Sequence, residues 1–232
     1  MNAPRWLGLM GRWMHPRFGD LTPDEPSLAP SKARLEALAD GVFAISMTLL
    51  TIELFIGEVP AAQLSATLAG LWPRIVVYVA SFIVLGIGWM AHHYIFRVVE
   101  RSDYYLLWIN ILYLLCVALV PFAADILGRH PLETTALLTY GVVITLVGTL
   151  AWALWEYATR GDRLVRPDLN PALRSFMLRR LALGPIVGGF AILMAFVRPE
   201  VSLFIYVGLP PFYLLQSGVD RFFGGIGRRR TE

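Results

Sequence analysis

Apolar residues fill the stretch from Gly41 to Ile52 without a charge, interrupted only by Ser46, Thr48 and Thr51. Arg34, Glu36 and Asp40 stand before it and Glu53 follows it. Ionisable groups are expensive at the centre of a bilayer, so they gather at the edges of a span or face protein and water. The pattern therefore predicts a membrane helix that also carries small hydroxyls. Ile45, Leu49 and Ile52 follow i, i+4, i+7 spacing on one face, with Thr48 at its edge. On spacing alone, such a face is ordinary packing surface.

The same reading along the chain predicts spans near 38–56, 75–96, 104–127, 134–158, 177–197 and 200–217. Each approaches the roughly 20 apolar residues that cross the hydrocarbon core. Composition agrees: 56% of the 232 residues are hydrophobic, 16% are charged, and the mean hydropathy is +0.59. That is too apolar for an ordinary soluble domain. The pattern of residues 34–53 has no second copy, which argues for one unit. The expected fold class is an all-α membrane protein with six transmembrane helices over 34–217. A flexible tail is expected at 1–33, where Trp6 and Trp13 make no signal-peptide core, and a basic tail at 218–232 with Arg228-Arg229-Arg230.

Charge then orients the spans. Of the 20 Lys and Arg residues, all but Arg74, Arg129 and Arg198 fall on the side that holds both termini and the loops near 97–103 and 159–176. By the positive-inside rule both termini are cytoplasmic. The pI of about 9.2 thus reports topology and anionic headgroups, with no need for a nucleic-acid partner. Within the spans, Gly184 and Gly188 suit close helix packing. Pro210-Pro211 should break or kink the last helix, and the single Cys116 reads as a packing residue without a disulfide.

Polar residues at membrane depth carry the candidate chemistry. With alternating helix directions, Arg34 and Asp40, then Trp89, His92 and His93, then Asp103 and Asn110 come to one level near the cytoplasmic side. Groups buried in lipid need partners, and these can supply one another. The first reading is a structural hydrogen-bond network, with proton sensing through a histidine as an alternative. A shared metal ion is disfavoured, because adjacent helical residues point apart and no zinc-binding motif is present. Nucleophile elbows, phosphate-cradling loops and paired carboxylates within the spans are missing from the sequence, so neither an enzyme nor a cofactor is expected. Spaced arginines of a voltage sensor and a Thr-Val-Gly-Tyr-Gly filter loop are missing too.

Arg34-x-x-x-Leu-Ala-Asp40-Gly-Val-Phe-Ala-Ile-x-x-Thr48-Leu-Leu resembles the first-helix signature of the transmembrane protein 175 family, the lysosomal potassium channel and its bacterial relatives. The likeness continues through Glu53, Pro60, Trp89, His92-His93, Arg101-x-Asp103, Leu106-Leu107-x-x-Asn110, Pro121-Phe122 and Leu127-Gly128. It covers about residues 34–128, while the later spans match in layout only. The chain departs at Leu38-Ala39, where the family pattern has Phe-Ser.

The resemblance implies a homotetrameric, potassium-permeable channel without a re-entrant filter loop, sited in the bacterial cell membrane. It implies a pore lined by the first helix of each subunit, narrowed by Ile45, Leu49 and Ile52, with Thr48 as the selectivity layer. Potassium ions and the lipid bilayer are the implied partners. Two rivals remain open: a proton-coupled transporter using Asp40 and His92/His93, and a non-conducting accessory membrane protein. The absence of an internal repeat and of a charged site on the first helix near the midplane weighs against the transporter.

Overall fold

The structure is a computed structural model, and it describes residues 31–215. The expected tails, including Trp6, Trp13 and Arg228-Arg229-Arg230, therefore lie almost wholly outside the described residues. The chain runs through α1 (Lys32–Leu49), a 3-10 continuation (Leu50–Leu54), a short α2 (Leu64–Gly70), α3 (Trp72–Val98) and α4 (Tyr104–Arg129). It continues through α5 (Thr134–Thr159), α6 (Pro171–Val197) and α7 (Pro199–Leu215). Among the described residues, five helices are long and apolar enough to cross a membrane: α1 with its 3-10 continuation, α3, α4, α5 and α6. The last expected span corresponds to α7, of which 17 residues are described.

Local chemistry explains the boundaries. Asp103 caps α4 by accepting from the Leu106 amide at 2.8 Å. Asn170 caps α6 through the Ala172 amide at 2.9 Å, and Pro171 fits the first turn because its missing N–H is not needed there. This cap starts α6 before the expected residue 177. Arg174, Arg179 and Arg180 interrupt the apolar run, but they are good helix formers. The loop after α5 turns at Gly161, whose φ of +67° suits a residue without a Cβ.

Prolines bend expectations less than their reputation. Pro121 and Pro185 sit inside α4 and α6, and α7 runs on through Pro210-Pro211 to Leu215. The expected break does not occur. A proline inside a packed membrane helix forfeits one backbone bond, while neighbouring helices and adjustments of the same turn hold the rest together.

Lipid tails are as apolar as leucine, so helix association here relies on close fit and polar contacts rather than on hydrophobic burial. The α5–α6 crossing shows the fit. A Cβ on Gly188 would collide with the Thr145 hydroxyl, and one on Gly148 would come within 3.2 Å of the Pro185 ring. Gly184 faces Gly148 there, as the small-residue pair predicts. α4 supplies much of the core through Tyr113, Leu114, Val117, Val120 and Leu127, with Cys116 also buried. At the basic end, the amides of Glu100 and Arg101 donate to Leu164 O at 2.8 and 3.2 Å. These bonds tie the α3–α4 loop to the α5–α6 loop.

Candidate functional site

Among the described residues, the helices that α1 packs on are α3 and α4. Its inward stripe is Leu35, Ala39, Phe43, Ser46 and Leu50, all buried and spaced at helical intervals. A neighbouring face, roughly a third of a turn round the helix, carries Leu38, Ile45, Leu49 and Ile52, which are 48%, 60%, 41% and 66% exposed, with Thr48 exposed beside them. The described residues of the single subunit thus leave uncovered the face on which the family resemblance implies a constriction. The change to 3-10 geometry after Leu49 keeps Ile52 in line, because residues three apart eclipse in that helix. The Thr48 hydroxyl donates to Ile45 O at 2.8 Å, and the Thr51 hydroxyl donates to Thr48 O. Each threonine oxygen therefore keeps lone pairs available on the uncovered side.

Behind this face the polar residues separate into two pairs. Trp89 Nε1 donates to Asp40 Oδ1 at 2.8 Å, joining α1 to α3. The His93 ring stacks on Trp89 with centroids 5.9 Å apart. Deeper in the bundle, His92 Nε2 and Asn110 Oδ1 are 2.8 Å apart, joining α3 to α4. Both residues are buried, at 3% and 0% exposure. If His92 carries the shared proton, Asn110 Nδ2 is left without a partner among the described residues. If the amide is reversed, it is the oxygen that goes unmet. Either way one buried polar atom of Asn110 stays unpaired, which makes this pair costly to disturb.

Aromatic rings enclose the deeper pair. His92 stacks on Phe96 at 4.4 Å and on Tyr113 at 5.7 Å, and Phe43 of α1 leans on both His92 and Tyr113. The Tyr113 hydroxyl donates to Gly88 O at 3.1 Å. A Cβ on Gly88 would stand 3.3 Å from that hydroxyl and 3.4 Å from Phe43, so glycine lets the three helices close. Sequence reading passed over Phe43, Gly88 and Tyr113. Their signal was present, since Phe43 lies one turn beyond Asp40 and Tyr113 one turn beyond Asn110.

Arg34 and Asp103 do not join these pairs. Arg34 is exposed one and a half turns before Asp40 and takes part in neither hydrogen bond. Asp103 instead accepts from the Tyr157 hydroxyl at 2.6 Å, and Arg163 reaches both, at 2.7 Å from Tyr157 and 3.4 Å from Asp103. The sequence-level idea of one shared network thus resolves into an Asp40–Trp89 pair, a His92–Asn110 pair and a separate loop clamp. Among the described residues no cluster of His, Cys, Asp and Glu has the makings of a metal site.

These observations define an integral membrane protein of packed α-helices, with α1 tied at the edge by the Asp40–Trp89 bond and one of its faces left open. The pattern of the endosomal/lysosomal potassium channel TMEM175 family matches residues 34–121. A potassium channel of Streptomyces collinus is 35% identical over 78% of this chain and 90% of its own length. The chain belongs to the TMEM175 family. The crystal structure of a lysosomal potassium-selective channel TMEM175 homolog from Chamaesiphon minutus superposes with a TM-score of 0.71 at 27% identity, covering 80% of this chain and 97% of that one. The endosomal/lysosomal proton channel TMEM175 of Danio rerio is 30% identical over 77% of this chain, which spans 38% of that longer protein.

Proposed function

We propose that this chain is the subunit of a homotetrameric, potassium-permeable channel of the bacterial cell membrane. Residues 34–217 form its six-helix transmembrane unit, and the tails at 1–33 and 218–232 are both cytoplasmic. The first helices of four subunits line the path. Rings of Ile45, Leu49 and Ile52 narrow it, and Thr48 offers oxygens to a partly dehydrated ion. The single observation that carries the reading is the uncovered α1 face, which combines aliphatic side chains with available hydroxyl oxygens. Aliphatic rings can close a pore to ions by dewetting, and potassium sheds its water more readily than sodium. Selectivity then needs no carbonyl filter loop.

The Asp40–Trp89 bond ties α1 to α3, and the His92–Asn110 pair braces α3 against α4 where Phe43 of α1 packs, so α1 keeps one rotation and the same residues face the path in every subunit. The test is reconstitution of the full chain into liposomes with a potassium gradient, repeated with sodium. Potassium flux that exceeds sodium flux is expected. Absence of potassium flux from a folded, monodisperse sample overturns the reading. The Danio rerio relative is a proton channel, which favours protons as a second permeant, and a pH-sensitive dye in the same liposomes reads that directly.

A further inference from the structure

A second feature lies away from α1. A cavity of about 290 Å³ opens among α3, α4, α5, α6 and α7. That is close to the lower end of the size range of small-molecule sites, which begins at roughly 300 Å³. Its walls are Ile87 of α3, Val147 and Ala151 of α5, Val187 of α6 and Ile205 of α7, and the one charged side chain on it is Arg180. Leu183 and Gly184 of α6 also line it, and both are exposed, so the cavity communicates with the outside of the bundle along α6. An apolar chamber with a cation at one end is matched to an amphiphile with an anionic head.

Depth selects the kind of amphiphile. Arg180 lies nine residues along α6 from Pro171, about 13 Å at 1.5 Å per residue. It sits toward the end of the bundle that also carries Arg97, Arg163, Arg166, Arg174 and Arg179. The apolar walls extend from Arg180 toward the bundle middle, at Val147, Val187 and Ile205. A phospholipid in the leaflet at the basic end presents its head and tail in that order. The guanidinium suits a phosphate because its planar fork meets two oxygens at once.

We infer that this cavity is a lipid site: it takes one acyl chain of an anionic phospholipid, and Arg180 holds the phosphate. The bound chain fills the space between α3, α5, α6 and α7 that their own side chains leave open. One lipid is held per subunit. None of its walls belongs to α1, although Gly88 and Tyr113, against which Phe43 packs, line its inner side.

Native mass spectrometry of the full chain, purified in detergent and supplied with phosphatidylglycerol or phosphatidylcholine, tests this without any flux measurement. The expected result is one phosphatidylglycerol retained per subunit in preference to phosphatidylcholine. Arg180→Gln should cut that preference about tenfold, the scale of losing one charge-assisted hydrogen bond. Ala151→Phe should fill the chamber and remove the lipid of either head. Should Ala151→Phe fail to fold, Arg180→Gln still decides, since it changes the head contact and leaves the walls intact. Equal retention of both lipids by the unaltered chain, no retained lipid, or unchanged preference in folded Arg180→Gln overturns the inference.

Discussion

His92 and Asn110 share one hydrogen bond, and both side chains are buried. Such bonds between membrane helices average about 0.6 kcal/mol and reach about 1.7 kcal/mol, because partners are also found in the unfolded state within the membrane. His92→Phe keeps the ring stack on Phe96 and Tyr113 but strands the Asn110 amide. It should lower stability by about 1–3 kcal/mol, the cost of an unmet buried polar group. The combined change His92→Phe with Asn110→Leu should recover part of that loss, because neither side is then left polar. Thermal unfolding of the purified variants reads both effects, and a double variant no better than the single one would place the cost in packing. On the other face of α1, Ile45→Asn should wet the constriction and raise basal flux while weakening discrimination between potassium and sodium. Thr48→Ala should lower that discrimination and leave the closed state tight. Liposome flux in the two ions measures both, and unchanged flux and preference in both variants would set this face against other protein.

At the scale of elements, the helices differ in what the sequence reveals. The spans of α3, α4 and α5 fall within a few residues of the structure, because long apolar runs end at Asp103, Arg129, Glu133 and Arg160. The start of α6 was hidden by its three arginines, since hydropathy and helix propensity disagree over 171–180 and propensity governs there. The 3-10 end of α1 was hidden as well, because its packing against α3 and α4 is tertiary, and the short α2, with no buried residue, leaves no periodic apolar pattern to read. Residue types at the candidate site were legible from helix direction and depth, but their pairing was not. Depth cannot tell which rotamers meet, so Asp103 went to Tyr157 and Arg163 while Arg34 stayed apart. The α5–α6 crossing supplies a test at this scale. Gly188→Val should separate the two helices at Thr145 and cost about 1–3 kcal/mol, as overpacking commonly does. Adding Thr145→Ala should return part of the lost stability. Thermal unfolding of both variants checks this, and a fully stable Gly188→Val would mean that the crossing tolerates a wider spacing.

On the scale of the whole molecule, the described bundle is uneven: α4 and α5 are packed on several sides, whereas among the described residues the helices that α1 touches are α3 and α4. The proposed assembly puts the open α1 faces of four subunits around a common axis. The chain's single cysteine makes that proposal directly measurable. Cys116 is buried in α4, and a Cys116→Ala background leaves the protein without a thiol. Single cysteines placed there at Ile45, Thr48 and Ile52, with Phe43 as the inward-facing control, would then be exposed to a charged, water-borne thiol reagent during potassium flux in liposomes. Only a thiol bathed by the aqueous path ionises and reacts readily. The account predicts that modification at 45, 48 and 52 blocks potassium flux while the cysteine at 43 stays inert. Flux untouched by the reagent at 45, 48 and 52, in channels that still conduct, would contradict it.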